Sequence, residues 1–379
     1  MDFSYTPAEQ AFRAELRTWL AANVPHDPPP ADSLEDEAAF LTAWQRRMYE
    51  GGWAAVHWPR EYGGRGASLT ETAIFQEEMA HARAPQLMNR VGINNVGPTL
   101  MTHGTAEQRQ RHLANILSAE DIWCQLYSEP NAGSDLAALR TRAERRGDAF
   151  IVNGQKVWTS YAQFARYGIL LARTDPDAPL HRGISCLLVD MHSPGITIRP
   201  LRQLTGSAEF SETFFDNVVV PRANLVGAEN DGWRVATTTL AHERGTAFSF
   251  KEQVLHKIFV DELGELLRAR GAAADPVLRQ RYAASAIDVE ILRLHNCRTM
   301  TRLARGELPG AESSLVKLFW ADLTQALTGL GLDVLGPAAQ LPSRWQQRML
   351  WSRCASIAGG TNEIQRNIIA QRLLGLPRA

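Results

Sequence analysis

No stretch of this sequence is long enough, or one-sided enough, to mark it for a membrane, a nucleic acid or a metal. The longest apolar runs are short, as in GILLA at 168–172 and CLLV at 186–189, far below the ~20 residues that span a bilayer. Lysine plus arginine number 40 against 41 aspartate plus glutamate, a formal net charge of −1 with the two signs interspersed. No basic stripe exists to follow a phosphate backbone, so neither nucleic acid nor membrane is an expected partner. Cysteine is scarce. Cys124, Cys186, Cys297 and Cys354 form no C-x-x-C and have no nearby histidine pair, which argues against metal and redox motifs and makes them buried thiols. The opening MDFSYTPAEQ has neither the positive region nor the apolar core of a secretory signal, so a cytoplasmic location is expected.

What is present suits a fully folded chain: 379 residues, 45% of them hydrophobic, enough for two or three cores. Residues 6–22 are expected to be helical, because Thr6 with Glu9 makes a capping box, Pro7 sits in the first turn, and Phe12, Leu16, Trp19 and Leu20 recur at helical spacing. After the proline loop PHDPPP at 25–30, helical patterns cover 34–50, 69–82 and 105–118, the last opened by a Thr105–Gln108 capping box. Residues 1–120 are thus an N-terminal α-helical domain. Composition changes near 121, where FIVNGQKVWTS, YGILLART, ISCLLVDM, ITIRPL and ETFFDNVVV alternate between Gly, Pro and Asp breaks. These predict antiparallel strands rather than βαβ units over a middle domain, 121–230. The helical period returns at Gly232, with breaks at 273–276, 308–310 and 335–342. Residues 231–379 are therefore a helical bundle, and the fold class is α+β.

No G-x-G-x-x-G follows a strand, and the glycine-rich YGGRG at 62–66 follows Pro and Glu as a turn would. The informative stretch is QLYSEPNAGSD at 125–135, which sets Tyr127, Ser128 and Ser134 hydroxyls and the flexible Gly133 around an acidic proline turn. Such a loop presents N–H and O–H groups to a ligand; a plain surface turn fits the same residues. This stretch resembles the acyl-CoA dehydrogenase signature, a Thr or Ser followed by E-P-x-A-G-S-D. Three more blocks occur in the family's order: GWAAVHWPREYGGRG at 52–66, NGQKVWTS at 153–160 and GGTNEIQRNIIAQRLLG at 359–375. The resemblance implies an N-terminal helical domain, a middle antiparallel β-barrel and a C-terminal four-helix bundle. It implies FAD as cofactor, an acyl-CoA substrate and an electron-transfer flavoprotein as acceptor.

Carried over position by position, the resemblance makes Gln125, Tyr127 and Ser128 contacts of the flavin ring through backbone and hydroxyl groups. Gly133 belongs to the same cofactor loop, and Ser134 lies between FAD and CoA. Trp158 and Ser160 match the pair that packs on and hydrogen-bonds the flavin, although on strand pattern alone Trp158 reads as a core aromatic. Thr361 and Glu363 are assigned to FAD at the start of the closing helix. That helix is expected to be capped by Thr361 or Asn362, with Gln365 placed for a capping box with Asn362, and to stop at Gly375 and Pro377.

In this family an α-proton is removed while the β-hydrogen leaves as hydride, so a carboxylate must lie beside the substrate. Many members carry it in E-G-T before the last helix. Here those positions are Gly359, Gly360 and Thr361. A minority place the base in an E-R pair on the first C-terminal helix, and this chain has Glu243 and Arg244. Ala236, Leu240, Glu243 and Ala247 fall on one helical stripe, which turns Glu243 inward and predicts a raised pKa suited to a base. Arg244 is a candidate for positioning substrate or Glu243, and an ordinary ion pair is the alternative. The Gly359 N–H, with Gly360 beside it, is expected to bind the thioester oxygen, a role that needs no side chain. The missing side chain leaves room for a branched or bulky acyl group.

The family also commonly carries an R-x-x-F-G motif and a Q-x-x-G-G motif that reach FAD in a neighbouring subunit. The first is missing from 251–300, and the second is altered to Asp333-Val334-Leu335-Gly336-Pro337. This pattern resembles the heterotetrameric acyl-CoA dehydrogenases that act on steroid side-chain thioesters, so a paralogous second subunit is expected, a homo-oligomer being the alternative. Two other functions fit the same scaffold, a flavin-dependent monooxygenase or oxidase and a non-catalytic partner subunit.

Overall fold

The computed structural model describes the backbone of residues 5–26, 33–243, 246–305 and 310–377, with the side chains of these apart from 242–249 and 304. The helices begin where the capping chemistry says they should. Thr6 accepts from Glu9 N and the Glu9 carboxylate returns to Thr6 N, opening α1 (Pro7–Asn23). Ser33 caps α2 (Leu34–Glu50), and a Ser68–Glu71 box opens α3 (Leu69–His81). A π turn, Gly92–Val96, runs into α4 (Gly97–His103), and a Thr105–Gln108 box opens α5 (Ala106–Ser118).

The strands are β1 (Trp123–Leu126), β2 (Arg142–Arg146), β3 (Ala149–Ser160), β4 (Tyr167–Arg173), β5 (Ile184–Asp190), β6 (Ile196–Leu201), β7 (Phe210–Pro221) and β8 (Leu225–Val226). They form an eight-stranded sheet in the order β6-β7-β3-β2-β4-β5-β8, with β1 added on β4. Most pairs are antiparallel, but β1 runs parallel to β4 and β2 meets β4 in a parallel bridge. The expectation of a purely antiparallel sheet is therefore corrected. The long β2–β3 hairpin lies between β1 and β4 in the chain, so β4 returns in the same direction as β1, as a parallel pair requires.

The C-terminal helices are α6 (Gly232–Glu243), α7 (Thr246–Ala269), α8 (Pro276–Ala304), α9 (Glu312–Leu335), α10 (Arg344–Ser352) and the short α11 (Asn362–Ile368), which continues into a π turn, Ile369–Leu373. Packing divides the chain into two compact units. One gathers residues 1–24, 68–84 and 244–379; the other gathers 25–67 and 85–243. In the first unit, Leu263, Leu267, Leu292, Trp320, Leu327 and Leu330 form the core, and Glu78 of α3 grips Arg13 and Arg17 of α1 at 3.1 and 2.6 Å. In the second, Phe150, Val152, Leu170, Leu187 and Val218 centre the sheet core. Strands β4 and β5 are buried on both faces almost throughout, which is why their sequences read as continuous apolar runs instead of alternating. Among the described residues no helix is long and apolar enough to cross a membrane, and no group of three His, Cys, Asp or Glu could hold a metal ion.

Candidate active site

The loop after β1 is built on a buried ion pair. Lys156 is fully buried, and its Nζ donates to Tyr127 O and to Glu129 Oε1, both at 2.9 Å. Glu129 also accepts from Arg140 N at 2.7 Å and Thr141 N at 2.8 Å. Burial pushes the Glu129 carboxyl up, but Lys156 and these donors outweigh it and hold it below the usual range. Burial draws Lys156 down to about 8 against the pull of Glu129, which leaves the ammonium charged at neutral pH. Val157 N donates to Ser128 O at 2.9 Å, and Glu129 and Ala132 exchange two backbone bonds of 3.1 Å. The Gln125–Ala132 segment is thereby pinned to β3, and Gly133 and Ser134 follow it on the surface. A Cβ on Gly133 would meet nothing within 4 Å, so packing within the chain does not require glycine there.

Strand β3 loses register with β7 between Lys156 and Thr159. A β-bulge reverses the alternation, so Lys156 and Val157 both turn inward, Trp158 turns out and Thr159 is buried. Trp158 is 60% exposed, its ring 6.2 Å from that of Phe210 and nearly perpendicular to it. Its φ is +59°, a left-handed conformation that is an outlier for a bulky residue and costs roughly 1–2 kcal/mol. The reading of Trp158 as a core aromatic is overturned; a large ring is held open to solvent in a strained backbone. Ser160, half-buried, pairs with Phe210 at the end of the strand. Thr159 Oγ1 has no partner among the described residues.

Gln125 and Tyr127 are tied down by side chains the sequence reading did not single out. Gln125 Oε1 accepts from Asn95 Nδ2 at 2.8 Å, and Tyr127 donates its hydroxyl to Thr239 Oγ1 at 3.0 Å. The Tyr127 hydroxyl faces α6, leaving its backbone as the group nearest the loop surface. Helix α6 buries Val235, Ala236 and Thr239, with Leu240 half-buried. The backbone of Glu243 lies on this helix; the Glu243 side chain and all of Arg244 lie outside the described residues.

The Gly359–Glu363 stretch belongs to the other unit. Gly359 and Gly360 have φ of +65° and +91°, backbone that favours glycine. Thr361 is the cap, accepting from Ile364 N at 3.2 Å. The expected Asn362–Gln365 capping box does not form. Asn362 is buried and turns to α9, donating to Asp322 Oδ1 and accepting from Lys317 Nζ. Gln365, 1% exposed, donates Nε2 to Gly359 O at 3.1 Å and Gly360 O at 3.2 Å. Glu363 is exposed beside Arg366, its carboxyl held below the usual range by its own N–H and the Thr361 hydroxyl. Asp333, the departure from the glutamine motif, is paired with Arg281 of α8 at 2.7 Å, both side chains half-exposed.

Within the sheet-bearing unit, an open tryptophan face, a glycine with room beside it and an orphaned buried hydroxyl at Thr159 fit a flat ring cofactor. Of the residues missed, Glu129 and Lys156 carried a signal, since opposite charges inside two apolar-flanked blocks seek each other when buried. Asn95, Thr239, Gln365 and Arg281 carried none.

Three family models match in chain order: the acyl-CoA dehydrogenase N-terminal domain over residues 6–120, the middle domain over 124–218 and the C-terminal domain over 230–374. Acyl-CoA dehydrogenase IpdE1 of Mycobacterium tuberculosis strain H37Rv is 42% identical over 380 residues, covering 97% of this chain and 98% of that protein. Two solved structures are similar along 100% of both chains: a Tcur3481-Tcur3483 steroid ACAD, with TM-score 0.89 at 31% identity, and the ChsE4-ChsE5 complex from Mycobacterium tuberculosis, with TM-score 0.85 at 35% identity. The chain therefore belongs to the acyl-CoA dehydrogenase family, whose members use FAD to oxidise a CH–CH group of an acyl-CoA.

Proposed function

We propose that this chain desaturates the α,β-bond of a branched or bulky acyl-CoA, with Glu243 as the base. The observation that carries this reading is the Gly359-Gly360-Thr361 loop, where many family members have Glu-Gly-Thr. The loop offers no carboxylate, and its two left-handed glycines offer no side-chain bulk. The base must then come from elsewhere, and Glu243, on α6, is the carboxylate in the alternative family position.

In this reading Glu243 takes the α-proton while the Gly359 N–H donates to the thioester oxygen as negative charge develops there. Trp158, Ser160 and the backbone of Gln125, Tyr127, Ser128 and Gly133 would hold FAD, and Thr361 and Glu363 would contact it. When bound, FAD supplies the two-electron acceptor for the β-hydride. Ser134 lies between cofactor and CoA, and Arg244 orients Glu243 or the acyl chain. An electron-transfer flavoprotein would serve as the external acceptor. A paralogous subunit completes the assembly, in line with the steroid ACAD and ChsE4-ChsE5 relatives. The Arg281–Asp333 pair supports this, because a carboxylate already tied to its own bundle suits a surface that does not receive a pyrophosphate.

Turnover of cyclohexanecarbonyl-CoA against butyryl-CoA tests the substrate class; faster reaction with butyryl-CoA counts against a bulky acyl group. Glu243→Gln is expected to lose product formation by 10³-fold or more while keeping its FAD, within the range of a lost acid–base group. Surviving turnover in that variant removes Glu243 from the mechanism. A fully FAD-loaded, active homotetramer from this chain alone would remove the paralogous partner.

A further inference from the structure

Three hydroxyls meet in the interior of the sheet-bearing unit. Thr239 Oγ1, on α6, receives the Tyr127 hydroxyl at 3.0 Å, lies 2.9 Å from Thr99 Oγ1 and reaches Val235 O at 3.0 Å. Thr99 bonds Asn95 O at 2.7 Å, and Asn95 Nδ2 donates to Gln125 Oε1 at 2.8 Å. Thr99 and Thr239 are fully buried, and Tyr127 and Asn95 are 3% and 8% exposed. The chain of bonds thus runs from one ligand-facing residue, Gln125, through the π turn and α4 to α6, and returns through Tyr127 to the same loop.

The proton count is closed. Tyr127 gives its proton to Thr239, Thr99 gives its proton to Asn95, and Thr239 gives its own to Val235 O or Thr99. No hydroxyl is left free to turn, and a buried hydroxyl stripped of its partner carries a cost of about 1–3 kcal/mol. Two features show that this is more than filler between helices. Asn95 lies in a π turn, a rare widening of the helix that is frequent at functional sites. Thr239 is also one helical turn before Glu243 on α6, so whatever fixes Thr239 fixes the turn of helix that carries Glu243.

We propose that Thr239 is a positioning residue, clamped by Tyr127 and Thr99, that sets the Leu240–Glu243 turn of α6 against the Gln125–Ser128 segment. The inference rests on the reading of Glu243 as base. The Tyr127 hydroxyl then serves the helix that carries the base, and only the Tyr127 backbone serves the cofactor.

The test uses the full chain, with any subunit that co-purifies, and compares Thr239→Val, Thr239→Ser, Tyr127→Phe and the Thr239→Val/Tyr127→Phe double variant. With cyclohexanecarbonyl-CoA as probe, Thr239→Val is expected to lower kcat about tenfold with KM within twofold and FAD per chain unchanged. Thr239→Ser should return kcat to within twofold of the parent, and the double variant should be no slower than the worse single one. Amide exchange over Leu240–Glu243 should quicken in Thr239→Val and Tyr127→Phe but not in Thr239→Ser. Unchanged kcat in Thr239→Val, a fall in proportion to lost FAD, or additive losses in the double variant would each overturn the proposal. If the parent does not turn over the probe, or Glu243→Gln stays active, the functional reading fails by itself. The exchange data then decide whether Thr239 clamps the Leu240–Glu243 turn, and unchanged exchange would overturn the clamp.

Discussion

Lys156 and Gln365 do the same work in different units of the chain: each is a buried side chain donating to backbone carbonyls of a segment that carries a family block. Lys156 holds Tyr127 O and Gln365 holds Gly359 O and Gly360 O. The means differ. Lys156 is a charge, neutralised by a carboxylate that two backbone N–H groups also hold. Gln365 is neutral, and its Oε1 has no partner among the described residues. The first segment is locked by interactions that fail badly when broken. The second is clasped by two neutral bonds whose loss costs far less.

Several substitutions would break or sharpen that contrast. The largest effect is expected from Lys156→Met, which leaves Glu129 buried without its cation and should cost about 3–5 kcal/mol in denaturant unfolding. A loss below about 1 kcal/mol would mean that Lys156 is no more structural than Gln365. The same pair predicts the acid limb of stability. Glu129 has a folded pKa below its unfolded value, so its contribution is complete above the ordinary carboxylate range and is lost as pH falls through the folded value. Melting temperature followed from pH 7 to 3 should drop less steeply in Glu129→Gln, measured against that variant's own lower starting point. Gly360→Ala should cost roughly 1–2 kcal/mol, because alanine must adopt the left-handed backbone that glycine takes there. Its urea midpoint should move while the Lys156 side of the molecule is unaffected. The smallest effect is expected from Asp333→Asn, which removes a half-exposed ion pair with Arg281 and should change stability by less than about 1 kcal/mol.

Much of the fold was legible because its helices announce their own ends. Thr6 with Glu9 and Thr105 with Gln108 form the boxes their spacing predicts, and Pro and Gly mark most of the breaks. The site was legible through its blocks and less so through its geometry. Trp158 stands where a two-residue period buries it, and only the bulge after Lys156 turns it outward. A bulge of that kind, with no glycine at the shifted residues, leaves no mark in the sequence. The π turn at 92–96 breaks the 3.6-residue period that sequence patterns assume. Asn362 and Gln365 have the right spacing for a cap, but tertiary partners 40 residues away on α9 and the carbonyls behind them take both side chains first.

The outward turn of Trp158 also has an optical consequence. Of the ten tryptophans in the chain, Trp44, Trp53, Trp58 and Trp123 are at most 2% exposed, whereas Trp158 and Trp351 are 60% and 44% exposed. In a Trp351→Phe variant the red edge of the emission would come mainly from Trp158, where iodide can reach it. A flavin stacked on that ring would extinguish the signal and shield it from iodide. Quenching of that emission would then count occupied sites in intact protein, with no substrate present, if Trp158 stacks on the flavin as proposed.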